Sequence, residues 1–223
     1  MSTLNGGPGI VTNGLVLYLD AANPASYVNG STAWNDLTRN GYNLTLTNGP
    51  SYSSNNAGVI AFDGTNDYAI ITNANIKDYT TITVSLWMNV SAIEAWETYY
   101  SYNSEEGGLT TGWGVRRQST NNNYQFWAAG VSSIKLYENA QLISTTGFSE
   151  GTNTTGSWNL ITLCATGITT WSTHNRLTIA TRSDSINSST AMQAGMFSLY
   201  SRELTATEIQ QNYNATKSRF NLT

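Results

Sequence analysis

The chain has 223 residues, enough for one all-β domain whose core needs no disulfide staples, and only 11% of them are charged. Asn, Thr, Ser and Gly stand where charges would be, so hydroxyls and amides keep the surface wet. The formal net charge is -4 and the only adjacent basic pair is Arg116-Arg117, which excludes nucleic acid as a partner, because neutralising phosphates needs grouped Lys and Arg.

Residues Met1 to Ile10 lack the charged leader and apolar run of a secretory signal, and no stretch approaches the ~20 apolar residues of a membrane span. The Gly- and Pro-containing segment 1–13 is expected to be a flexible arm, and 14–223 a single domain. In Gly14-Leu-Val-Leu-Tyr-Leu-Asp20, alternation of Leu15, Leu17 and Leu19 predicts a strand. Trp34-Asn-Asp-Leu37 reads as a loop around a buried aromatic. Ala61-Phe-Asp-Gly-Thr-Asn-Asp-Tyr68 reads as a strand turning sharply at Gly64. Within it, Asp63, Asn66 and Asp67 offer oxygen ligands that suit calcium; the alternative is a turn at Asp63-Gly64 with Asp67 capping the strand.

The clearest strand is Thr81–Val90. Ile82, Val84, Leu86, Met88 and Val90 share one face, and Thr81, Thr83, Ser85, Trp87 and Asn89 the other. Trp87, opposite the aliphatic face, either packs under a covering segment or contacts a partner. Trp96, Tyr99, Tyr100, Trp113 and Trp127 crowd the central third of the chain. Such rings serve as platforms for sugars or partner proteins, or else fill the core.

Further strands are expected at 124–129, 133–137, 141–144, 160–164, 175–181 and 195–200, separated by turn clusters. Many short strands at this spacing imply a sandwich or barrel. The single cysteine, Cys164, lies in an apolar strand and reads as a small buried hydrophobe. Thr205-Ala-Thr-Glu208 is a capping box, with Leu204 and Ile209 placed as a hydrophobic staple. It starts a helix, with Ile209 and Tyr213 on one face, expected to close the sandwich edge.

Chemical signals are sparse. Glu94 and Glu97 are three apart, so on a strand they would point to opposite faces. Glu105-Glu106 reads as a loop tip, and His174 lies in a polar run. With one His and one Cys there is no zinc set.

The blocks 14–23, 34–37 and 61–68, together with Phe197-Ser-Leu-Tyr-Ser-Arg-Glu-Leu-Thr-Ala-Thr-Glu-Ile-Gln-Gln-Asn-Tyr-Asn-Ala-Thr216, resemble laminin-G-like (concanavalin A-like) jelly-roll domains of tailed-bacteriophage structural proteins. Leu136–Ile143 resembles that family's hairpin, with Asn139-Ala140 where Asn-Gly is usual; Ala resists the positive φ of such a turn. The resemblance extends from about Gly14 to Phe220. It implies an all-β antiparallel jelly-roll sandwich with one short C-terminal helix. It further implies a virion structural protein, a capsid decoration or fibre-like subunit released by host lysis. Its implied partners are capsid or tail proteins, further copies of itself, and host-surface glycans, with calcium held at a loop edge. The alternative is a stand-alone carbohydrate-binding module. Glucanases of this architecture carry a Glu-x-Asp-x-Glu cluster, since a retaining glycosidase needs two carboxylates ~5 Å apart. This chain lacks it, and is expected to be non-enzymatic.

Overall fold

A computed structural model describes residues 9–72, 76, 79–91, 96–103, 110–117, 123–149, 155–171, 175–183 and 189–223. Residues 1–8, Glu94, Glu105, Glu106 and His174 lie outside them. In chain order the strands are β1 (Leu15–Asp20), β2 (Ala33–Trp34), β3 (Leu44–Thr47), β4 (Ser51–Ser53), β5 (Val59–Asp63) and β6 (Tyr68–Thr72). Then follow β7 (Thr81–Val90), β8 (Thr98–Tyr102), β9 (Trp113–Arg117), β10 (Tyr124–Ala128), β11 (Ser133–Glu138) and β12 (Gln141–Ser144). The last are β13 (Phe148–Ser149), β14 (Trp158–Thr166), β15 (Arg176–Ile179) and β16 (Ala191–Tyr200), before helix α1 (Ala206–Thr216) and a 3-10 turn at Lys217–Phe220.

Two antiparallel sheets form a β-sandwich. The first runs β12-β11-β14-β7-β16-β5-β4, with β1 also on β16; the second runs β13-β10-β9-β8-β15-β6-β3-β2. β16 serves two neighbours on one edge: residues 191–194 pair with β5 and 196–200 with β1, and the register slips at Gly195. The aliphatic face of β7 enters the shared core beside Leu17, Leu19, Phe197 and Leu199. From the second sheet come Tyr100, Tyr102, Trp113, Val115, Tyr124 and Phe126. Side chains from two inner faces interdigitating in this way are what an aligned sandwich requires.

The Trp34 loop is organised by one carboxylate. Asp36 accepts hydrogen bonds from the Tyr18, Thr38 and Tyr42 amides and from the Thr38 hydroxyl, while Trp34 is fully buried. The β11–β12 hairpin turns through Asn139 (φ 50°) and Ala140 (φ 66°), so Ala adopts the conformation it resists. Compensation is visible: the Asn139 side chain donates to Asn159 and accepts from the Leu160 amide, and the Ala140 methyl packs near Ile209 and Tyr137.

Helix α1 carries the expected capping box at Thr205 and Glu208. It does not close an edge. It lies over the outer face of the first sheet, because that face of β7 and β14 is apolar at Trp87 and Leu160 and needs a cover. Trp87 stacks on Tyr213 (5.8 Å) and Phe220 (4.4 Å) and donates from Nε1 to the Thr216 hydroxyl (2.8 Å). Phe220 lies between Trp87 and Trp158 and rests on Gly195. Arg219 fastens this end, reaching the Asp20 carboxylate (2.5 Å) and the carbonyls of Asn56 and Gly58. The segment expected to be a free arm is docked from Gly9 onward. The Val11 amide donates to Asn212, the Tyr200 hydroxyl donates to the Val11 carbonyl, and Gln211 holds the Gly9 carbonyl.

At the helix start, Arg202 grips Glu208 through both guanidinium ends (2.6 and 2.9 Å), and the Thr205 amide adds a third bond. Arg202, then Thr205, hold the Glu208 carboxyl down at about 2, from an ordinary value of 4.5. A lowered carboxyl pKa stabilises the fold above the unfolded value, and that contribution is lost as pH falls towards the folded one. Glu208→Gln should therefore lower stability at neutral pH and flatten its fall between pH 4.5 and 2, as read by denaturant titrations across pH. An unchanged acid limb would refute this assignment.

One end of the core is polar. The Arg117 guanidinium faces the Glu97 carboxylate (3.3 Å) and the Tyr99 hydroxyl (3.3 Å), with both charged side chains under 5% exposed. Beside them the Tyr124 hydroxyl donates to Glu138 of the opposite sheet (2.9 Å).

Candidate functional site

The structure separates the aromatics sharply by position. Trp87, Tyr99, Tyr100 and Trp113 are each at most 1% exposed, which corrects their reading as contact residues. Trp87 is sealed by Tyr213 and Phe220. Tyr100 packs edge-on against Trp113 and Phe197, and Tyr99 against Tyr124, all inside the sandwich. Trp127 does face outward on β10, but it is 6% exposed. Its ring lies over Gly114, where a Cβ would come within 2.5 Å, and its Nε1 donates to the Thr111 carbonyl. It too is a packing residue.

Trp96 is the exception, with 50% of its surface exposed. Its φ is 67°, in the left-handed region that a bulky aromatic rarely occupies. Such strain persists only where the surroundings impose it, and it concentrates at functional positions. Arg116 stacks its guanidinium on the indole at 4.8 Å. Arg116 is held in turn by its cross-strand partner, since its Nε donates to Gln125 Oε1 at 2.7 Å. Alternation along β9 explains the pairing: Trp113, Val115 and Arg117 point into the core, so Arg116 faces out with Gln125. The resulting platform is an indole with one face backed by a cation, standing on the outer side of the second sheet. Composition alone reads Arg116-Arg117 as one basic pair. The period of two along β9 separates them, one outward and one into the core.

The oxygen cluster at the β5–β6 turn is self-satisfied. Asp63 Oδ1 accepts from the Thr65 and Asn66 amides, and Asp67 Oδ2 accepts from the Asp63 amide. The Thr65 amide lowers the Asp63 pKa, whereas burial raises that of Asp67. Asn66 gives its carbonyl to the Asn48 side chain. Among the described residues no group of three or more His, Cys, Asp or Glu is placed to hold a metal ion. Cys164 is buried, with its sulfur 3.6 Å from the Thr83 hydroxyl, and desolvation pushes its thiol up to about 12. It is no nucleophile near neutral pH. No helix among the described residues is long and apolar enough to cross a membrane.

No protein-family model matches the sequence, and no curated protein does. Solved structures do match in fold. The sialidase of Trypanosoma rangeli in complex with sialic acid aligns with a TM-score of 0.60 at 15% identity, over 94% of this chain and 34% of that one. A mutant of the same sialidase displaying trans-sialidase activity gives 0.60 at 14%, over 93% and 33%. The binding domain of botulinum neurotoxin serotype G gives 0.60 at 13%, over 92% and 51%. The chain thus spans a third to a half of these neighbours, and at such identities the likeness shows the β-sandwich fold. It also overturns the expectation of a non-enzymatic chain, since the fold occurs within enzymes. The missing Glu-x-Asp-x-Glu cluster excludes one glycosidase pattern only.

Proposed function

We propose that this protein is a carbohydrate-recognition domain, and that Trp96 is its platform. The observation that carries the reading is the half-exposed indole held in a strained backbone conformation with Arg116 against one face. An exposed aromatic face offers a sugar ring C–H contact area without desolvating polar groups, and Gln125 and Arg116 place hydrogen-bond donors and acceptors beside it. The fold neighbours, a sialidase bound to sialic acid and toxin binding domains, support the reading at the level of architecture. The setting proposed with it is the surface of a virus particle, supported by the resemblance of the terminal blocks to phage structural domains. Mass spectrometry of purified particles tests that setting.

A glycan array probed with the purified chain tests the function itself. Trp96→Ala should weaken binding to the glycans captured by about tenfold or more, with the fold unchanged by circular dichroism. Capture of no glycan, or capture indifferent to Trp96→Ala, would overturn it.

A further inference from the structure

We propose that a second saccharide site, selective for uncharged sugars, lies in the groove between residues 27–32 and the turn at 48–51. It shares a ligand class with the proposed function but none of its residues. The groove has a volume of about 430 Å³, within the range of small-ligand sites. Its floor is apolar: the Tyr27 and Tyr52 rings lie 5.5 Å apart at 33°, beside buried Leu46. Its rim carries Asn29, Ser31, Thr32, Asn48 and Ser51, and no charged side chain lines it.

The walls are preformed. The Leu46 amide donates to the Thr32 carbonyl (2.8 Å), joining one wall to β3, and the Ser31 amide closes a turn on Val28 (2.9 Å). The opposite wall turns through Asn48 (φ 67°) and Gly49 (φ 101°), and the Asn48 amide nitrogen ties it to the Asn66 carbonyl at 2.7 Å. Gly30 and Gly49 have nothing within 4 Å of where a Cβ would stand, so ligand atoms can approach the backbone on both sides. A site fixed in advance does not lose ordering entropy when it binds.

Chemistry selects the ligand. An ion entering this groove would lose water and find no countercharge. A hydrocarbon would strip water from the rim amides and hydroxyls and return no hydrogen bonds. A polyol both donates and accepts, as do Asn amides and Ser or Thr hydroxyls, and the C–H face of a pyranose fits the half-buried Tyr52 ring. An uncharged sugar of one or two rings meets all three conditions.

The test is calorimetric titration of the full chain with maltose, lactose and chitobiose, and with sialyllactose as the charged counterpart. At least one neutral disaccharide should bind. Tyr52→Ala should weaken it roughly tenfold or more. Thr32→Trp, which fills the groove from an exposed position and leaves the floor residues unchanged, should abolish it, and Trp96→Ala should leave it intact. Binding of none of the neutral sugars, binding indifferent to Thr32→Trp, or binding that follows Trp96 alone would overturn the second site. Because the Trp96 and groove variants are read separately, failure of one site is distinguishable from failure of the other.

Discussion

Replacing Phe220 with alanine should cost about 3–5 kcal/mol of unfolding free energy and lower the melting temperature by roughly 10 °C. The ring is 3% exposed and lies between two indoles, Trp87 at 4.4 Å and Trp158 at 4.5 Å. Its removal opens a cavity at the centre of the cover over the first sheet, where Trp87 and Leu160 depend on it. The seat is equally specific. A Cβ on Gly195 would come within 2.6 and 2.8 Å of Phe220 ring atoms, so Gly195→Ala should be strongly destabilising in the native chain. In a Phe220→Ala background the same substitution should cost little, because the obstructing ring is gone. Urea titrations of the four proteins check both statements. A Gly195→Ala cost that is unchanged by Phe220→Ala would show that the bulge, not the ring, demands glycine.

The second large effect is expected at the buried ion pair. Arg117→Met should cost about 3–5 kcal/mol, because it removes a buried guanidinium 3.3 Å from a Glu97 carboxylate that is only 4% exposed. Most of that cost is the burial of a carboxylate that has lost this guanidinium, rather than the lost attraction itself. The double variant Arg117→Met, Glu97→Leu should therefore be more stable than Arg117→Met alone, although it removes one more native side chain. A single variant losing less than about 1 kcal/mol would mean that the carboxylate finds water or another donor. The pair contributes geometry as well as energy, since it sits where β8 is bulged between Thr98 and Tyr100, and Arg117 steers the Tyr99 hydroxyl there.

The parts of the fold that could be read in the sequence are those governed by local periodicity. Ten alternating residues defined β7, and the Thr205 box defined the start of α1. Alternation also put Trp87 opposite the aliphatic face, but its cover, Phe220 and Tyr213, comes from a segment far along the chain that no local pattern connects to it. β8 is not legible in the sequence because Thr-Tyr-Tyr-Ser-Tyr is buried on both faces and bulged, which erases the period of two. β9 was obscured by its two arginines, one of which is in the core. The same loss of period hides the site. Aromatic crowding in the central third reflects the core of the second sheet, and Trp96 is distinguished from its neighbours by a backbone angle and an arginine that composition does not report. The groove at 27–52 carries no motif at all; it arises from two turns brought together by the pairing of β3 with β2 and β6.

The docking of Gly9–Asn13 and of the C-terminal turn on one layer has a practical corollary. Gly9 to Asn13 and the turn at Lys217–Phe220 rest on the outer side of the first sheet, whereas Trp96 stands on the outer side of the second. A support joined beyond Leu222, whether a resin or a sensor surface, holds the molecule from behind. The indole then faces away from the support, with the whole thickness of the sandwich as its spacer.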